Sequence, residues 1–105
     1  MNKLISVVIL MFSSFSSFAN SDCENQAKEA FSKAHKLHHI KTITYEGVLK
    51  AKTDRPYYMG EIWNNSNQDL DIYEVKSSYM AGYTHVVLTN NSCEMISIIE
   101  VGFED

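Results

Sequence analysis

The sequence predicts an α+β fold: one N-terminal helix packed across a four- to five-stranded antiparallel meander sheet, closed by one disulfide. Three observations predict it. Apolar residues recur at helical spacing from Ala27 to His38, the pattern changes to strand-like alternation after Ile40, and Cys23 and Cys93 bracket most of the patterned region.

Ahead of the patterned region, Met1-Asn2-Lys3 is a short basic start, Leu4 to Phe12 is apolar but for Ser6, and Ser17-Phe18-Ala19 ends a serine-rich stretch. Small residues one and three places before the cut suit a signal peptidase, so residues 1–19 are expected to be a cleaved secretory signal and residues 20–105 a single α+β domain. A spanning helix needs about 20 apolar residues, and the apolar run here is too short to be a stable membrane anchor. Asn20-Ser21-Asp22 separate the cut from Cys23, which disfavours a lipid anchor. The protein is thus expected to be exported, periplasmic in a Gram-negative source and otherwise secreted. In that compartment two cysteines without a C-x-x-C spacing are expected to pair as a structural disulfide.

The helix is expected to begin at Ser21-Asp22-Cys23-Glu24, a capping-box spacing. Ala27, Ala30, Phe31, Ala34, Leu37 and His38 then fall on one arc, with Lys28, Glu29, Lys33 and Lys36 outside it. The first strand is expected over 42–51, with Ile43, Tyr45, Leu49 and Ala51 on one face. Thr53-Asp54-Arg55-Pro56 reads as a turn, because proline fixes φ and lacks a ladder donor. A second strand follows over 57–63, then the polar stretch Asn64 to Asp69 as the longest loop. The third strand, about 70–79, changes phase between Ile72 and Tyr73, which predicts a bulge or kink there. Met80-Ala81-Gly82 and Asn90-Asn91-Ser92 turn the chain into a fourth strand over 83–89 and a fifth over 93–103.

Charge narrows the function. The whole chain carries a formal net charge of −4, and losing Lys3 with the leader makes the domain more acidic still. Nucleic-acid binding draws on clustered Lys and Arg, whereas Arg55 is the only arginine here. No G-x-S-x-G, phosphate loop or glycine-rich cradle occurs, so no catalytic residue and no cofactor are assigned. His35 and His39 stand at i and i+4 but lack a third ligand at metal-site spacing, so no metal site is assigned. A small hydrolase would have to use His85 with Glu61 or Glu74, in a chain poor in the cations that stabilise developing negative charge. Asn64-Asn65-Ser66 and Asn90-Asn91-Ser92 both match the N-glycosylation acceptor, as a chain rich in asparagine does by chance.

Aromatic residues concentrate in the middle strands. A single helix covers one face of a sheet, so tyrosines are expected on an open face, and Tyr58, Trp63, Tyr73, Tyr79 and Tyr83 are the candidate protein-binding residues. A helix followed by an antiparallel meander resembles the cystatin-like layout, without the Q-x-V-x-G loop of the inhibitory members. Cys23 before a helix, with Cys93 after Asn90-Asn91-Ser92, looks similar to small periplasmic immunity proteins of the colicin M type; the likeness carries no site residues across. The expected function is binding of another protein, basic in charge, as an immunity protein or inhibitor of a toxin or hydrolase. The alternatives are a small secreted hydrolase with a His/Glu site and a ligand-binding or accessory module with a pocket at the helix–sheet seam.

Overall fold

The structure, a computed structural model, describes residues 23–104. The expected signal peptide and the Ser21 cap lie outside the described residues. The described elements are helix α1 (Glu24–Ala34) and strands β1 (His39–Leu49), β2 (Thr53–Tyr57), β3 (Gly60–Asn64), β4 (Leu70–Ser78), β5 (Gly82–Thr89) and β6 (Met95–Glu104). None of the described helices is long and apolar enough to cross a membrane.

Helix α1 has Cys23 as its N-cap, without a side-chain cap hydrogen bond, and buries Ala27 and Phe31. It is one turn shorter than the periodicity suggests. His35 closes it, donating its backbone N–H to the Phe31 carbonyl at 2.8 Å, and Leu37, placed in the buried arc by the pattern, is 73% exposed. Histidine and the β-branched residues that follow favour helix weakly, and pairing with β4 claims the chain from His39 onward. His39 therefore opens a strand, and His35 and His39 do not share a helical face.

A four-stranded sheet in the order β1-β4-β5-β6, antiparallel throughout, forms the body of the domain, and β2 pairs only with β3. Four antiparallel strands meet the lower of the expected four to five, while the meander order is corrected, because β1 pairs with β4 and the chain between them forms a separate two-stranded sheet. The expected strand over 57–63 is in fact a hairpin that turns at Tyr58 and Met59, with Tyr58 in the left-handed region at φ 51°. The expected Thr53–Pro56 turn is strand β2, with Pro56 opposite Glu61. Both strands of a two-stranded sheet are edges, where a proline is tolerated. The turn falls earlier, at Lys50-Ala51-Lys52, with Lys52 at φ 59°.

The hairpin covers the face of the sheet that α1 leaves uncovered. On its side Leu49, Tyr57, Ile62, Leu70, Ile72, Val86, Leu88 and Val101 form one core. On the helix side Cys23, Ala27, Phe31, Tyr73, Val75 and Val87 form the other. Strand β4 lies between them, and every residue from Leu70 to Val75 is buried. Its apparent change of phase is two-sided burial, with regular alternation kept. The irregularity belongs to β1, where Tyr45 pairs with Tyr73 and Gly47 with Ile72, leaving Glu46 as the extra residue. Gly47 takes φ 104°, a conformation L side chains rarely adopt. The bulge moves Leu49 to the hairpin core while Ile43 and Tyr45 face the helix, which corrects their expected common face.

Both edge strands are irregular twice. Register shifts fall between Ile40 and Thr42 and between Tyr45 and Gly47 in β1, and at Ile96 and Val101 in β6. The Cys23–Cys93 disulfide, spanning 70 positions, ties the start of α1 to the β5–β6 loop, where Cys93 has φ 63°.

Candidate protein-binding surface

The hairpin turn is fastened to the sheet by one carboxylate. Glu74 projects from β4 toward the hairpin, and its Oε2 accepts hydrogen bonds from the hydroxyls of Tyr57 at 2.6 Å and Tyr58 at 2.9 Å. The alternation of β4 dictates this direction, since Glu74 shares a face with Leu70 and Ile72. Burial, then the Glu74 hydrogen bond, pushes the Tyr57 hydroxyl pKa far up. At Tyr58 the Glu74 hydrogen bond is the main cause of a rise. Both phenols stay protonated donors across the physiological range, and the clamp holds a non-glycine residue in a left-handed turn.

Beside the clamp, the turn overhangs the end of the sheet and leaves two adjoining clefts. One, of about 170 Å³, is lined by Met59, Gly60, Glu61, Ile99, Val101 and Phe103 among others. The second, of about 200 Å³, is lined by Tyr58, Met59, Lys76, Thr84, Phe103 and Glu104 among others. Tyr58, Met59 and Phe103 are 62%, 84% and 48% exposed. The cluster is apolar, with the carboxylates of Glu61 and Glu104 at its margin.

The five predicted aromatic residues divide. Tyr58 stands at this surface, and Tyr83 joins it through its edge-on contact with Phe103 at 5.1 Å. Tyr79, in the β4–β5 turn, is exposed and stands 5.5 Å from the His38 ring. Trp63 is exposed on the hairpin, alternating with buried Ile62 and Asn64. Tyr73 is a core residue: it is fully buried, lies 5.4 Å from the Tyr45 ring, and accepts the Cys23 backbone N–H at 3.2 Å. It belongs to the helix-side core, and the sheet face expected to lie open is covered by the hairpin. Met59, Met80 and Phe103 are among the exposed apolar residues that aromatic content in the middle strands does not reveal, as are Leu37, Val48, Met95 and Ile96. Met59 and Phe103 become legible only once the hairpin turn is placed over β6.

Three of the four histidines meet where α1 ends. The rings of His35 and His85 are 4.6 Å apart, those of His35 and His38 5.0 Å, and those of His38 and His85 5.9 Å. Among the described residues, no three His, Cys, Asp or Glu side chains are grouped to hold a metal ion. His85 is on the helix face of β5, against Phe31 at 5.1 Å. Glu74 points to the opposite face and Glu61 lies on the hairpin, so the His/Glu pairs of the hydrolase alternative are not brought together. The carboxylate that meets His85 is Glu100, at 4.0 Å from Nε2. The helix–sheet seam is filled by Phe31, Tyr73, Val75 and Val87. Beside it runs an open groove between α1 and Met95, lined by Gln26, Glu29, Lys33 and Ala34.

Comparisons with protein families, curated proteins and solved structures match nothing to this chain.

Proposed function

We propose that this is a small exported protein-binding module, an immunity protein or inhibitor of a toxin or hydrolase, which meets its partner through the hairpin turn and the adjoining end of the sheet. The observation that carries this is the clamped, solvent-facing cluster of Tyr58, Met59 and Phe103. A rigid aromatic anchor loses little conformational entropy on binding, which is what a contact surface needs. The negative net charge favours a basic partner, since complementary charge speeds encounter. The Cys23–Cys93 disulfide fits an oxidising, exported environment.

The test places a photo-crosslinking residue at position 59 and, as a control, at Lys28 on the far side of α1, in the exporting cell. One partner should be captured at position 59 and not at 28. With that partner purified, Met59→Glu and Phe103→Glu should each weaken binding by about tenfold or more while the circular dichroism spectrum is unchanged. Unaltered affinity in Tyr58, Met59, Trp63 and Phe103 variants would remove the reading.

A further inference from the structure

His85 is 2% exposed, beneath the last turn of α1. Around it stand Phe31 and His35 from the helix end, His38 from the link into β1, Tyr83 from its own strand and Glu100 from β6. His38 in turn has its Nδ1 at 3.0 Å from Ser77 Oγ of β4, and its ring lies against Tyr79 and Tyr83 at 5.5 and 4.9 Å. Among the described residues His85 Nδ1 has no hydrogen-bonding partner. Neutral imidazoles can pack this closely as aromatic rings. Charged ones, about 5 Å apart, repel strongly in a partly dry seam.

Glu100 is the charged group that faces the cluster across the sheet, and its carboxylate is half-exposed. One carboxylate can compensate one imidazolium and leaves the others uncompensated. The fastening of α1 is therefore uneven: a covalent bond at its start, and at its end three rings whose packing depends on their remaining neutral.

We propose that His35, His38 and His85 form an acid-released latch, which holds the end of α1 and the start of β1 on the sheet when neutral and frees them when protonated, while Cys23–Cys93 keeps the start of the helix attached. The opening uncovers Phe31 and the helix-side core, and it withdraws His38 from Tyr79 and Tyr83. The direction of the titrations agrees. Burial, then the neighbouring His35 and His38, pushes His85 down to about 4. At His38, burial and His35 lower the pKa against an opposing pull from Glu100. An exported domain meets external acidity directly, so such a latch is within reach of its surroundings.

The experiment is amide hydrogen exchange read by NMR on the oxidised protein from about pH 7.5 to about pH 4, with histidine ring resonances followed in parallel. Protection factors at Phe31 to Ala34 should fall about tenfold or more while those of β4 and β5 hold. The His38 and His85 ring resonances should change together with the loss of protection, and EDTA should change nothing. His85→Phe, a ring of similar size against Phe31, should abolish the transition. His35→Gln, which removes one of the like charges, should move it to lower pH by about half a unit and serves if the first variant does not fold. Uniform loss of protection, no loss down to about pH 4, a transition that persists in His85→Phe or is unmoved in His35→Gln, or one shifted by EDTA would overturn the proposal.

Discussion

Asn64 and Asn90 carry the same three-residue word, Asn-Asn-Ser, into the same local structure. Asn64 Oδ1 accepts hydrogen bonds from the Ser66 backbone N–H at 2.9 Å and the Ser66 hydroxyl at 2.7 Å. Asn90 Oδ1 accepts from the N–H groups of Ser92 at 2.9 Å and Glu94 at 3.0 Å. Each is an Asx-type turn, in which a side chain mimics a backbone carbonyl. The amide nitrogens that glycosylation would modify are engaged: Asn64 Nδ2 donates to the carbonyls of Leu49 and Gln68, and Asn90 Nδ2 to Glu94 Oε1. Asn64 binds the end of β1 to the loop after β3, so Asn64→Ala strands buried groups on both. It should cost about 2–4 kcal/mol, against about 1–2 kcal/mol for Asn90→Ala, by urea denaturation. Tyr57→Phe belongs to the same scale. It leaves Glu74 with a single phenolic donor and should cost about 1.5–3 kcal/mol, while Tyr58→Phe, on the exposed side of the clamp, should cost less.

At the scale of elements, β1 and the hairpin show what sequence pattern can and cannot carry. The α+β class, the disulfide and the positions of β5 and β6 were legible, because their apolar residues and turn asparagines point to one local answer. The hairpin was not, since Tyr58-Met59 is no turn signal and its left-handed backbone is held by a carboxylate on another strand. Pro56 misled in the opposite direction, because a turn former is equally at home in a two-stranded edge. The bulge expected near Ile72-Tyr73 is not in β4, where burial on both faces imitates a change of phase; the irregularity lies opposite, at Glu46 of β1, which the apolar pattern did not mark. Of the candidate surface, Tyr58 was legible as an aromatic and Met59 was not. Gly47→Ala tests the bulge: no atom would meet the new methyl group, so the left-handed backbone alone should cost about 1–2 kcal/mol. Reduction of Cys23–Cys93 tests the helix attachment. Closing a loop of 70 positions stabilises by about 4 kcal/mol in the chain-entropy description, and without it the amides of α1 should exchange before those of β4 and β5.

For the whole molecule, buried His85 ties stability to acid. His85 in the unfolded chain titrates near its ordinary 6.5, and in the fold it is pushed down to about 4. Above about pH 6.5 it is neutral in both states and its contribution is complete. As pH falls from about 6.5 to about 4 the unfolded chain takes up the proton first, so stability declines, by on the order of 3 kcal/mol in all. Asp71 runs the other way, its carboxyl raised above 3.8 by burial against the opposing Tyr45 hydrogen bond, so its effect favours the fold on the acid side. Urea midpoints measured across that range should follow the histidine slope, and His85→Phe should flatten it. The paired irregularities in β1 and β6 act on a different hazard. A sheet ends where its last strand offers unpaired backbone groups, and a straight last strand is a growth front on which identical chains can stack without limit. Here each front is broken at two places, leaving only Ser97 to Glu100 regular between the breaks in β6. Copies of this domain have no long template to copy, so it should remain monodisperse at millimolar concentration and resist fibril seeding even with Ile96 and Phe103 facing solvent.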